Sequence, residues 1–324
     1  MNIIAYRNPG GKESFIYETG EAEKMNFSCN SNCFLVSPFY HPADALQYAL
    51  TSRLLEIPHD IVSRNDTKIK FNEFTISEYQ TYLTKIKRLI NGDDSKKIVA
   101  SRRVNINVVP DVNELFCKLC DEYPDAFVFF ISTKEFGSWI GATPELLLER
   151  KGDKLATMSL AGTRSIEMSG AWDEKNIKEQ KIVTDYIRNI FKTHGLATNV
   201  KESGTKKAGR IEHLMSVIEC CSPEKEKTGH LLATLSPTPA LCGYPKEEAI
   251  KLITENEGDR SLYGGFLGPV YPNGDFRLSV IIRCAYLTAE STTLFAGGGV
   301  TYLSRTEEEW LETEKKLDTL RRLL

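Results

Sequence analysis

Strand-like segments in this chain come in adjacent groups, and helical ones stand between the groups instead of alternating with single strands. Residues 97–109 (KIVASRRVNINVV) alternate as a strand does, and residues 126–132 (AFVFFIS) read as a buried strand. Residues 137–149 and 154–161 read as two more, joined at Gly152-Asp153, with 276–288 and 292–303 as a last pair. Helical spacing marks residues 76–91, where Ile76, Tyr79, Tyr82, Leu83, Ile86, Leu89 and Ile90 precede Asn91-Gly92. It also marks 173–192, 245–255 and 306–324, the last opening with Thr306 and a run of glutamates that suits a positive helix N-terminus. This order excludes a regular βαβ series. It predicts an α+β fold of large, mostly antiparallel sheets packed as a sandwich and flanked by helices.

The 324 residues can bury a large core, and neither a fixed-period repeat nor a Pro/Gly/Ser-rich linker divides them. One unit over 1–324 is expected, with 1–94 as an N-terminal half that pairs into a core of 95–324. A net charge of −3 gives no sign of nucleic-acid binding. No stretch approaches the ~20 apolar residues that span a bilayer, and Met1 to Gly10 lacks the apolar region of a signal peptide. A cytoplasmic location away from membranes is therefore expected. The eight cysteines read as reduced thiols, mostly packing residues. Cys117 and Cys120 form a lone C-x-x-C in a helical-looking segment, for which a redox or zinc role is the alternative.

Several polar residues fall where a core is expected. In the helix at 173–192 the buried stripe is Ile182, Val183, Tyr186, Ile190 and Phe191, and Glu179 projects on the same face. An acid there is costly unless it is paired or bound to a metal; otherwise it is a partly exposed glutamate favoured by the helix dipole. In the terminal helix Glu309, Glu312 and Lys316 lie on one line that continues into Leu320 and Leu323. That line is either a polar site or an ordinary surface pair of Glu312 with Lys316. Gly264-Gly265 and Gly297-Gly298-Gly299 read as turn-like segments that let backbone amides approach an anion, or as a bulge or tight bend. Arg283, in an apolar strand with Ile281, Ile282 and Cys284, points to a buried anion. Together these features suggest magnesium-ligand carboxylates and anion binders around a small acidic substrate.

The motifs then resemble those of a known family. Gly141 to Leu147 (GATPELL) is similar to the G-A-S/T-P-E-L-L motif of the chorismate-utilising enzymes. Leu160 to Arg164 (LAGTR), Tyr263-Gly264-Gly265, Ile282 to Ala285 (IRCA), Ala296 to Val300 (AGGGV) and Glu309 to Thr313 (EWLET) each resemble a further motif of that family, in order and at similar spacing over roughly residues 95–324. The first 90 residues resemble the family's shortened N-terminal half. The family's branches differ in nucleophile. Lys97 resembles the water-activating lysine of the isochorismate and salicylate branch, where ammonia-using members have glutamine. Lys96 is adjacent, and strand alternation would turn only one of the two toward a cleft. Ala161 stands where aminodeoxychorismate synthases carry a nucleophilic lysine. Ser236 to Ala240 (SPTPA) looks like the H-P-T-P-A segment of isochorismate synthases, with serine in place of histidine.

The resemblance implies an isomerase, an isochorismate synthase that converts chorismate with a magnesium ion and serves menaquinone or siderophore biosynthesis. Salicylate synthase and an ammonia-dependent anthranilate or aminodeoxychorismate synthase subunit are the alternatives. It implies Lys97 as base and Glu145 as acid. A lysine serves as base only if its pKa falls toward neutrality, and a glutamic acid as acid only if its pKa rises. Glu179 and Glu312 resemble direct magnesium ligands. Glu309 and Asn176 resemble water-mediated partners, Asn176 replacing an acid. Arg283 and Lys316, with amides near Gly298 and Gly299, resemble holders of the side-chain carboxylate, and Gly162 and Thr163 resemble contacts of the ring carboxylate. His213, Ala240, Tyr263 and Ile282 complete the implied pocket, for His213 beside an equally open structural role. The implied protein is a monomer without a glutaminase subunit.

Overall fold

The structure, a computed structural model, describes residues 1–25, 31–65, 67, 69–93, 95–168, 170–208, 211–221 and 224–324. In chain order the strands are β1 (Asn2–Arg7), β2 (Ser14–Lys24), β3 (Cys33–Ser37), β4 (Leu46–Arg53), β5 (Lys97–Ile106), β6 (Phe127–Thr133), β7 (Gly137–Thr143) and β8 (Leu146–Lys151). They continue as β9 (Lys154–Ser165), β10 (Asn199–Ala208), β11 (Ile211–Cys221), β12 (Gly243–Tyr244), β13 (Phe266–Val270), β14 (Phe276–Val280), β15 (Cys284–Leu287) and β16 (Thr292–Val300). The helices are α1 (Ile76–Ile90), α2 (Val112–Glu122), α3 (Glu174–Thr193), α4 (Lys225–Leu235), α5 (Lys246–Glu257) and α6 (Thr306–Arg321).

The expected sandwich is built from one continuous sheet of 16 strands, in the order β10-β11-β9-β8-β14-β13-β3-β4-β2-β1-β6-β7-β15-β16-β5-β12. The halves face each other because successive side chains point to opposite faces. Ile4 and Tyr6 of β1 join Phe34 and Val36 of β3 and Phe127, Phe129 and Ile131 of β6 in a central core. Their neighbours Ile3 and Ala5, with Val128 and Phe130, pack outward on Leu115, Phe116 and Leu119 of α2 and Leu317 and Leu320 of α6. Leu35 and the outer faces of β8, β13 and β14 pack on α1, α3, α4 and α5. Burial on both faces is why AFVFFIS shows no polar alternation. β1 to β4 sit in the middle of the strand order and form its link.

Two expected strands are broken, and both breaks fall at candidate site residues. The segment 137–149 divides at Pro144-Glu145, where proline cannot donate to the ladder. The segment 276–288 divides at Ile281 to Arg283. Arg283, expected within a strand, instead adopts a left-handed φ of 51°. Gly297 to Gly299 are not a turn: they lie inside β16 and pair with Ser101, Ala100 and Val99 of β5. The terminal helix stops at Arg321, and the first strand of the core at Ile106. In α3 the buried face is Asn176, Glu179, Gln180, Val183, Ile187 and Phe191, more polar than expected. The seven described cysteines are free, and Cys29 lies outside the described residues.

Candidate active site

Opposite ends of the strand order line one cavity. β9 supplies Ala161, Gly162 and Thr163, and β5 and β16 supply Lys97 and Gly299. Glu145, Glu179, His213, Ala240, Tyr263, Ile282, Arg283 and Lys316 complete the wall among the residues expected from sequence. Lys97 is 1% exposed and its ammonium lies 2.8 Å from Glu179 Oε1. Lys96 faces the other way and pairs with Glu248 at 3.1 Å, so strand alternation turns Lys97 inward. Gly299 lies against this pair. A Cβ there would stand 2.5 Å from Lys97 Cε and would overlap Glu179 Oε1.

Glu145 sits in the break between β7 and β8. Its backbone carbonyl accepts from Val280 N at 3.0 Å, and Lys206 Nζ donates to Pro144 O at 2.7 Å. Burial pushes its carboxyl up to about 7, against the pull of Lys97, Lys206, Lys316 and Arg283. The carboxyl is thus poised to hold a proton near neutral pH.

His213 Nδ1 donates to Gly162 O at 2.9 Å, with Thr163 Oγ1 at 3.2 Å. Its Nε2 accepts from Arg283 Nη2 at 3.2 Å, and Arg283 Nη1 donates to Thr319 Oγ1 at 3.2 Å. Burial, then Arg283 and Lys316, push the imidazole down to about 3. His213 is therefore neutral, and its work is to orient Arg283 and the Gly162 carbonyl.

The acidic residues gather beside the cavity. Glu309 is buried, and its Oε1 accepts from Lys175 Nζ at 2.7 Å while its Oε2 has no partner. Glu312 Oε1 accepts from Lys316 Nζ at 2.6 Å, and Lys316 also donates to Gly297 O at 2.7 Å. The Glu312–Lys316 pair is thus inside the site and not on the surface. Gly298, which was expected to face the substrate, backs onto these acids: a Cβ there would lie 3.0 Å from Glu309 Oε2 and 3.6 Å from Glu312 Oε1. Burial raises the Glu309 carboxyl, whereas Lys316 and Lys175 overcome burial and hold Glu312 low. Asn176 is committed elsewhere than expected. Its Oδ1 accepts from Thr163 N at 2.9 Å and its amide donates to Asp173, so its polar atoms hold the bulge of β9 at Gly162-Thr163.

These oxygens fit a hard divalent cation in kind, being carboxylates with one buried oxygen left unpartnered. As they stand, lysines engage them, and among the described residues no three acidic, histidine or cysteine groups converge as a metal site.

Behind the cavity lies a charged layer that sequence reasoning missed. Arg260 Nη1 and Nη2 donate to Leu241 O at 2.8 Å and Val99 O at 2.7 Å. Glu257 accepts from Arg260, Tyr82, Ser101 Oγ and Ser101 N. The cluster clamps the backbone of β5 two residues past Lys97 and the segment that carries Ala240. Arg260 follows a glutamate-rich helix, so by spacing it reads as surface.

Residues 30–324 match the family described as chorismate binding enzyme. The isochorismate synthase EntC of Escherichia coli is 31% identical over 238 residues, covering 69% of this chain and 61% of that protein. The anthranilate synthase component 1 of Neisseria gonorrhoeae is 28% identical over 260 residues, covering 76% of this chain and 52% of that protein. The chain spans about three fifths or less of the length of these curated relatives. Its fold is that of a 2,3-dihydroxybenzoate-specific isochorismate synthase, DhbC, from Bacillus anthracis, with TM-score 0.80, 23% identity and coverage of 99% of this chain and 95% of that one. The menaquinone-specific isochorismate synthase MenF of Escherichia coli gives TM-score 0.81 at 17% identity, covering 100% of this chain and 89% of that one. By its sequence over nearly the whole chain, this protein belongs to the chorismate-binding enzyme family.

Proposed function

We propose that the chain is an isochorismate synthase acting as one unit over residues 1–324. The observation that carries this reading is a buried lysine and a buried carboxyl with raised pKa in the wall of one cavity. Lys97, once its ammonium has given up its proton and stands as the neutral amine, takes a proton from water as the water oxygen bonds to a ring carbon of chorismate. Glu145 gives its proton to the departing hydroxyl further round the ring, which leaves as water while the double bonds shift between them. Arg283 and Lys316 hold one substrate carboxylate, and Gly162 and Thr163 present the bulge of β9 that receives the other. Glu179 and Glu312, with Glu309 behind them, would hold magnesium. The ion when bound supplies positive charge to the ring carboxylate. Tyr263, Ile282 and Ala240 shape the walls, and Ala240 narrows one side.

No described helix is long and apolar enough to cross a membrane. A cytoplasmic monomer without a glutaminase subunit suits a site that draws on water alone. Menaquinone and siderophore routes diverge after isochorismate, so the site chemistry is common to both. The test is incubation with chorismate and magnesium, then separation of products. Isochorismate is expected. Salicylate with pyruvate would mean a further elimination, and anthranilate formed in high ammonium at alkaline pH would overturn the choice of water as nucleophile.

A further inference from the structure

Lys175 has no role in the proposed reaction, yet it occupies the middle of the acidic group. Its Nζ lies 2.7 Å from Glu309 Oε1 and 4.0 Å from Glu312 Oε2, and it feels the charge of Glu179 as well. It belongs to the first turn of α3, where the helix dipole disfavours a cation, so the acids and not the helix hold it there. It also leaves the group incompletely served, because the buried Glu309 Oε2 finds no partner. Beside Lys175 a second cavity of about 280 Å³ opens outward between Trp172, Met168, Leu311 and Glu308. The side chain is 20% exposed and lines that cavity.

We propose that Lys175 is an internal counter-ion that competes with the divalent cation. Its ammonium fills the Glu309–Glu312 group until it swings into the outer cavity and the ion takes its place. This rests on the reading of Glu179 and Glu312 as metal ligands. A cation that must first displace a resident ammonium binds only to the fraction of molecules from which the ammonium has left. Ion binding without chorismate is then limited by the Lys175 ammonium, and removing that side chain should strengthen it.

The experiment is direct Mn2+ binding to the full chain without chorismate, followed by electron paramagnetic resonance of the free ion, with Mg2+ as competitor. K175M should bind Mn2+ about tenfold or more tighter than the parent protein. K175R, which keeps the charge, should bind like the parent. K315M, which removes an exposed lysine at the rim of the same outer cavity, controls for net charge and should change affinity by less than about threefold. Equal or weaker binding by K175M, or equal tightening by K315M, overturns the proposal. If circular dichroism shows K175M unfolded, K175Q is measured with the same criteria. If E312A binds more weakly than the parent while K175M is no tighter, this inference alone fails. If no variant and no parent protein binds the ion, the metal ligands assigned above fail with it.

Discussion

Replacing Lys97 with methionine tests the base with little change of shape, because the thioether keeps most of the volume of the stem. Two effects follow. Loss of a positioned general base costs about 10²–10⁴ in turnover, or roughly 3–5 kcal/mol of barrier. The second effect falls on Glu179, whose Oε1 loses the ammonium at 2.8 Å while the residue stays 7% exposed. Stripping one partner from a buried pair costs about 3–5 kcal/mol if the charge persists, and a carboxyl can lower that cost by taking a proton. K97M should therefore be slow and also less stable without metal, with chorismate binding retained. The assay follows chorismate loss and isochorismate gain by chromatography beside thermal unfolding. K96M is the matched control, since Lys96 pairs with Glu248 on the outer side and should keep near-normal turnover. A K97M enzyme with more than about a tenth of normal turnover, or a dead K96M beside an active K97M, would refute the assignment.

Glu145 should set the alkaline limb of the pH profile. Its proton is held up to about pH 7 and lost above it, so turnover should fall as pH rises through that value. E145Q should lower turnover by about two to four orders of magnitude and remove that limb. Glu179→Ala and Glu312→Ala should each abolish activity and magnesium dependence, and full activity of either in excess chelator would contradict the ligand assignment. Gly299→Ala places a methyl group against Lys97 and Glu179 and should separate the pair, so it should cost activity more than Gly298→Ala, whose nearest neighbours are the carboxylate ends of Glu309 and Glu312.

What could be read from sequence followed periodicity. α1 declares itself through a capping box at Thr75 and Glu78 and a left-handed Asn91 at its end. β6 shows as a continuous apolar run. Glu179 and Glu309 were visible as acids on lines that run into apolar contacts, and both are buried. β10 hid because NVKESGTKKA is polar along its length at the end of the strand order, where no second strand demands an apolar face. Lys175 hid for a related reason: a lysine near the start of a helix looks like a solvated residue, and only the folded chain brings Glu309 to it. The break at Glu145 carries a local mark in Pro144. The break at Arg283 interrupts a run whose local pattern is strand-like, and tertiary hydrogen bonds such as Ile281 N to Gly265 O at 2.8 Å hold it.

The placement of β1 to β4 in the middle of the strand order has a consequence for how the molecule assembles. β3 bonds on one side to its neighbour in sequence, β4, and on the other to β13, with Leu35 opposite Gly268. β1 likewise bonds to β2 and then to β6, with Ala5 opposite Phe130. Strands made first during synthesis must wait for strands made much later, with their edges unpaired in the interval. Such long-range pairing slows folding and leaves apolar edges open to association with other chains. It also means that the N-terminal strands are the span between two halves of a sheet whose far ends meet at Lys97 and Gly162. They carry that span without lining the cavity themselves.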